Sequence, residues 1–253
     1  MDLGLRNKNV LITGSTAGIG RRIANLFADE GANVAICSRT PESVNKAVKE
    51  ISLTADGRII GAPCNIKDKE SYESWVENMV EQLGGVDIFI PNVSAGGGND
   101  SERNWWNNFE VDILGTVRGV EAVLPHMEEK GGAITMICTT AAIETFMEPQ
   151  PYNALKASLI TYSKQLSQAH GKDNIRVNSV SPGPIHFEGG AWEMIKTSNQ
   201  KFFEITEKTH ALKRMGTPEE VANCVVFLSS DASSWVTGVN LVVDGGYTKR
   251  VQF

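Results

Sequence analysis

Tyr152 and Lys156 stand four residues apart in Tyr152–His170, a run whose pattern predicts a helix. That spacing puts both side chains on one face, one turn apart. A phenol titrating near about pH 10 is a poor base at neutrality. A neighbouring ammonium favours the phenolate. A tyrosine so placed can give its proton to a developing alkoxide and take it back in the reverse direction. By itself the pair says little, because most such pairs are a half-buried tyrosine beside a solvated lysine. A third group adds to it. The apolar run Ala133–Cys138 ends in Thr139 and Thr140, and a hydroxyl there can polarise the same substrate oxygen.

A second constellation lies at the N-terminus. The strand-like run Asn9–Thr13 leads into Gly14-Ser15-Thr16-Ala17-Gly18-Ile19-Gly20, and a helix-like segment follows. Glycines between a strand and a helix let backbone N–H groups approach a pyrophosphate at the helix N-terminus. The spacing is G-x-x-x-G-x-G rather than G-x-G-x-x-G, and an ordinary tight turn is the bland alternative. The next strand-like run ends in Ser38 and Arg39. Enzymes that take NAD usually carry an acid here for the ribose hydroxyls. An arginine instead pairs with a 2′-phosphate. The expected cofactor is therefore NADP(H) rather than NAD(H), unless Arg39 is a plain solvated loop residue.

Positioning these groups needs a scaffold. Apolar runs at Asn9–Thr13, Asn33–Ser38, Ile59–Cys64, Val86–Ile90, Ala133–Cys138, Arg176–Val180 and Asn240–Val243 alternate with helical patterns. The latter include Ile19–Glu30, Pro41–Leu53, Lys69–Leu83, Asn104–Lys130, Tyr152–His170 and Pro218–Ser229. Several strand runs are apolar on both faces, as covered parallel strands are. The alternation predicts one α/β domain over residues 1–253, a doubly wound parallel sheet of about seven strands with helices on both faces. Residues 184–212 break the rhythm. An insertion there is placed to cover the crevice at the carboxyl ends of the strands.

Bulk properties exclude other classes. The net charge is −6, which argues against nucleic acid or an anionic membrane as partner. No apolar run spans a bilayer, and residues 1–8 lack the apolar core of a signal peptide. A cytoplasmic location is expected. Cys37, Cys64, Cys138 and Cys224 form no C-x-x-C pair, so they read as reduced thiols and no metal is expected.

The sequence resembles the short-chain dehydrogenase/reductase family over essentially its whole length. The resemblance rests on Thr13–Gly20, Asn92, Tyr152 with Lys156, Asn178-Ser179 leading into Pro182-Gly183, and the tail motifs Val236-Thr237-Gly238 and Val243-Asp244-Gly245-Gly246. It implies a single Rossmann-like domain that assembles as a homotetramer or homodimer. It implies that Tyr152 is the general acid/base and that Lys156 bonds the nicotinamide ribose and lowers the tyrosine pKa. The family's catalytic serine falls on Thr139. Its structural asparagine, whose backbone carbonyl holds a relay water, falls on Asp112, which is a departure. Cofactor contacts are implied for Gly14, Ser15, Thr16, Gly18, Ile19, Gly20, Ser38, Arg39, Asn65, Ile66, Asn92, Pro182, Gly183 and Ile185, besides Tyr152 and Lys156. Further departures are Asn65 for the adenine-contacting acid, Pro91-Asn92-Val93-Ser94 for Asn-Asn-Ala-Gly, and Phe187 for a threonine. Loss of that hydroxyl is expected to open or reshape the lid.

The expected substrate-facing segments are 94–106, 140–151 and 184–212. Trp105, Trp106, Phe146, Met147, Trp192, Met194, Phe202 and Phe203 in them suggest an apolar pocket for a ketone, or else lid core and oligomer contacts. Gly96-Gly97-Gly98 suggests a loop beside it. His186 reads as a surface residue. The leading reading is a carbonyl reductase or secondary-alcohol dehydrogenase. A lyase, isomerase or dehalogenase on the same scaffold, and a nucleotide-sensing binding protein, are the alternatives.

Overall fold

The computed structural model describes residues 2–146 and 148–251. Seven parallel strands form one sheet in the order β3-β2-β1-β4-β5-β6-β7. They are β1 (Asn9–Thr13), β2 (Asn33–Ser38), β3 (Ile59–Pro63), β4 (Ile88–Ile90), β5 (Gly132–Ile137), β6 (Ile175–Pro182) and β7 (Asn240–Val243). The order reverses between β1 and β4, which opens a crevice above their carboxyl ends. Val10, Leu11 and Ile12 are buried, and so are Ile88, Phe89 and Ile90. Apolar side chains on both parities therefore meet helices on both faces of the sheet.

Helices α1 (Gly18–Asp29), α2 (Pro41–Ile51) and α9 (Pro218–Ser229) share one core with Val10, Ile12 and Ile36. Helices α3 (Lys69–Leu83), α5 (Gly115–Met127) and α6 (Pro151–His170) share the other with Leu11, Phe89 and Ile134. Local chemistry sets the ends. Asp68 accepts the Ser71 N–H to start α3, and Gly84 at φ +80° stops it. Thr217 and Glu220 form a reciprocal cap on α9, with Pro218 in its first turn.

Two departures from the sequence pattern bear on the site. The run read as one helix over 104–130 is three pieces. α4 (Glu102–Asn108) passes into a π-helical turn, Phe109–Leu114, before α5. Such wide turns gather at functional sites, and this one carries Asp112. Residues 184–212 hold two helices, α7 (Ala191–Ser198) and α8 (Gln200–Thr209). Backbone hydrogen bonds from His186 to Gly216 and from Gly216 to Pro184 pin the base of the insertion.

Candidate active site

The glycine loop joins β1 to α1. Gly18 sits at φ +55°, a region that L side chains rarely adopt. A Cβ on Gly20 would collide with Asn92 Nδ2 and the Gly14 carbonyl. α1 begins after Ala17 with no side-chain cap and no acid in its first turn. Its leading N–H groups and positive dipole end therefore face the crevice free for an anion. Two expected cofactor residues also hold the loop together. The Ser15 hydroxyl donates to the Ile12 carbonyl at 2.7 Å and accepts the Cys37 N–H at 3.2 Å. Asn92 Nδ2 donates to the Thr13 and Gly14 carbonyls, each at 3.0 Å. Thr16 and Ile19 stay half-buried at the loop, with Ile19 on the cavity wall.

Ser38 pairs with Pro63 in the sheet register, so the segments that follow β2 and β3 leave the sheet side by side. They carry Arg39, which is exposed, then Asn65, also exposed, and the buried Ile66. A cation and an amide thus stand beyond the loop, where the adenosine half of a dinucleotide would lie.

Tyr152 and Lys156 share the first turns of α6 as their spacing predicts. Lys156 is 2% exposed and Asp112 0%. Asp112 Oδ1 lies 3.2 Å from Lys156 Nζ, and Oδ2 accepts the Ala95 N–H at 3.2 Å. Oδ1 has no hydrogen bond of acceptable angle, so its contact with the ammonium is chiefly Coulombic. Nζ spends one N–H on the Ile137 carbonyl at 2.8 Å. The Asp112 carbonyl accepts the Thr116 hydroxyl at 2.8 Å. Thr139 Oγ1 accepts the Ala141 N–H at 3.2 Å, which leaves its own O–H to donate.

Burial is the largest influence on Tyr152 and pushes its pKa above the ordinary phenol value. Lys156 and the Thr139 hydroxyl pull it down; Asp112 and Cys138 push it up. The expected lowering by the lysine is thus present but outweighed. Burial pulls Lys156 down, yet Asp112, Tyr152 and Cys138 together hold its ammonium above the ordinary lysine range. Burial lifts the Cys138 thiol to about 11, so it is no nucleophile at neutrality.

These groups open on a cavity of about 850 Å³, lined by Asn92, Thr139, Tyr152, Lys156, Pro182, Gly183 and Ile185 among others. Phe146, Trp192 and Ile195 supply apolar wall, and the three glycines 96–98 border it. Tyr247 also lines it, a residue the sequence reading missed although it follows the Gly245-Gly246 tail motif directly. Trp105 and Trp106 are exposed on α4, and Met194 is exposed on α7. Phe202 stacks on Trp192 at 5.8 Å, and Phe203 meets it edge-on at 6.5 Å. Met147 lies outside the described residues. His186 contacts the Glu193 carboxylate and the Phe203 ring. The Phe187 ring lies on Gly18 and Gly190, so at this position the lid packs on the glycine loop.

Residues 14–248 match the family described as enoyl-(acyl carrier protein) reductase. The chain belongs to the short-chain dehydrogenase/reductase family. Isoepoxydon dehydrogenase of Penicillium expansum is 36% identical, covering 99% of this chain and 98% of its own. L-sorbose reductase from Gluconobacter frateurii, solved with NADPH and L-sorbose, superposes with a TM-score of 0.91 at 30% identity, covering 99% and 100% of the two chains. A 7α-hydroxysteroid dehydrogenase solved with NADH and a 7-oxo bile acid superposes at 0.89 and 30% identity, covering 97% and 96%. As a short-chain dehydrogenase/reductase the chain is an oxidoreductase. Among the described residues no cluster of His, Cys, Asp or Glu could hold a metal ion, and no helix is long and apolar enough to cross a membrane.

Proposed function

We propose that this protein is an NADP(H)-dependent carbonyl reductase or secondary-alcohol dehydrogenase. The observation that carries the reading is the convergence of Tyr152, Thr139 and Lys156 on the cavity that also takes in Ile19 and Gly183. The uncapped N-terminus of α1 and the glycine loop fit a dinucleotide pyrophosphate. Arg39, with Ser38, would meet a 2′-phosphate, and Asn65 and Ile66 the adenine. The Ile185 N–H would hold the carboxamide, and Pro182-Gly183 would bound the nicotinamide end. When bound, the dinucleotide supplies or accepts the hydride.

The protein's own part is proton transfer and orientation. In reduction Tyr152 gives its phenolic proton to the substrate oxygen as that oxygen gains charge. The free O–H of Thr139 donates to the same oxygen and holds the carbonyl against Tyr152. Lys156 has an N–H left for the ribose hydroxyls after bonding Ile137. Phe146, Trp192 and Tyr247 exclude water and press an apolar face of the substrate. Relatives and neighbours named for isoepoxydon, L-sorbose and a 7α-hydroxysteroid support a ketone, or the matching secondary alcohol, as substrate. Assembly into a homodimer or homotetramer and a cytoplasmic location go with this reading.

The test follows reduced-nicotinamide absorbance with a panel of cyclic and open-chain ketones and alcohols. Oxidation of NADPH matched by alcohol formation is expected. Product without net cofactor oxidation would instead mark a lyase or isomerase, and tight binding without turnover a nucleotide sensor.

A further inference from the structure

Asp112 changes what Lys156 can do for Tyr152. Two opposite charges meet at 3.2 Å with both side chains almost wholly buried. A buried pair is poorly screened by solvent, so each charge acts strongly on its neighbours. A lone ammonium beside a phenol favours the phenolate. A carboxylate against that ammonium cancels part of its field at the phenol. Loss of the Tyr152 proton would then leave net negative charge at a phenol whose ionisation burial already disfavours.

The surroundings leave this effect uncompensated. From β5 and the turn after it, Tyr152 faces Cys138 and Thr139, neither charged at neutrality. From α6 it faces Lys156, and from the π-helical turn Asp112. The lid offers Ile185, Phe187, Trp192 and Ile195 to the cavity, none of them titratable. Asp100 and Glu148, both exposed, and Tyr247 also border the cavity, but none of the three is among the groups that move the Tyr152 phenol. The Asp112 carboxylate itself is held by the Ala95 N–H and the Lys156 ammonium, while the Thr116 hydroxyl donates to the Asp112 backbone carbonyl and fixes the turn.

We infer that Asp112 is a positioning residue that fixes Lys156 and, through it, keeps Tyr152 a proton donor to higher pH than an uncharged residue there would. The inference rests on Tyr152 being the acid/base. Reduction needs the phenol and oxidation the phenolate. The reductive direction therefore persists into alkaline solution, while oxidation starts only at higher pH. The overall equilibrium is untouched, since Asp112 is neither consumed nor formed.

The experiment uses the full chain with labelled tyrosine ring carbons. It follows the Tyr152 resonance against pH without cofactor, assigned by its loss in Tyr152→Phe, beside the pH profile of kcat/KM for ketone reduction with NADPH. In Asp112→Asn the resonance midpoint and the alkaline limb should both fall by about one pH unit or more. Asp112→Ser should shift them the same way, which guards against one variant that folds poorly. An unmoved midpoint in folded variants overturns the inference. A midpoint that falls in a protein with no reductase activity supports the action of Asp112 and overturns the acid/base reading instead.

Discussion

The ring of Phe187 lies across Gly18, so close that a Cβ on the glycine would come within 2.7 Å of Cζ. The lid thus reaches down to the glycine loop and packs on it. Gly18→Ala adds that clash to backbone strain at φ +55°. NADPH should bind at least about tenfold more weakly, equivalent to ~1.4 kcal/mol. Phe187→Ala placed on Gly18→Ala should recover the steric part and leave the backbone part. Titration by NADPH fluorescence measures both. Wild-type affinity in Gly18→Ala would show that the loop accommodates a side chain.

Tyr152→Phe keeps the ring and removes the proton. The reductive kcat should fall by about 10²- to 10⁴-fold. Cofactor affinity should hardly change, because the contacts expected of α1 and Arg39 remain. Steady-state rates set beside a binding titration separate the two effects. Appreciable residual turnover would assign the proton to another group.

Thr139→Ser and Thr139→Val separate hydroxyl from shape. Thr139 accepts the Ala141 N–H and still has a proton to give. Serine keeps both functions, so activity should be retained. Valine is nearly isosteric but has neither, and kcat should drop about 10²-fold. It also strands the Ala141 N–H, so Tm belongs in the comparison. Equal rates for threonine and valine would remove the hydroxyl from the chemistry.

The parts legible in the sequence were those governed by local rules. The Tyr152–Lys156 spacing needs nothing beyond helix geometry. The glycine loop shows itself by a strand before and a helix after. The parallel, doubly wound sheet follows from strand–helix alternation and crossover handedness, whereas its strand order is seen only in the structure. The parts that were hidden depend on distant neighbours. A helical pattern over 104–130 does not reveal the π-helical turn that carries Asp112. Only packing against α6 brings that carboxylate to Lys156. Ser15 and Asn92 also hold the loop together, a role no spacing reveals: the Ser15 hydroxyl and Asn92 Nδ2 bond β1, β2 and the loop's own carbonyls. Tyr247 reaches the cavity from beyond β7; the Gly245-Gly246 motif before it marks the segment but not the fold that brings the ring to the cavity.

Glu220 gives a pH test of the fold below the lid. Arg214 and the Thr217 backbone N–H hold its carboxyl down at about 2 rather than 4.5. A depressed folded-state pKa means that the stabilisation is present above the unfolded value. It is lost as pH falls from about 4.5 through about 2. Part of the pair is solvent-screened, with Glu220 39% exposed, so the effect is modest. Glu220→Gln should lower Tm at neutral pH and match wild type near pH 2. A constant gap between the two melting curves across that range would show that the charge contributes nothing.

Arg39→Asp tests the cofactor assignment. Arg39 is exposed just past β2, beside the segment that carries Asn65. An exposed guanidinium there meets a 2′-phosphate with little desolvation cost. A carboxylate at the same place repels that phosphate and instead accepts the free ribose hydroxyls of NAD(H). NADPH affinity should fall by about tenfold or more, corresponding to ~1.4 kcal/mol. NADH affinity should hold or rise. The ratio of kcat/KM for the two cofactors is the measurement, taken at low and high salt. The NADPH term alone should weaken as salt screens the exposed pair. A wild-type protein that already prefers NADH, with a ratio indifferent to both salt and substitution, would take the 2′-phosphate away from Arg39.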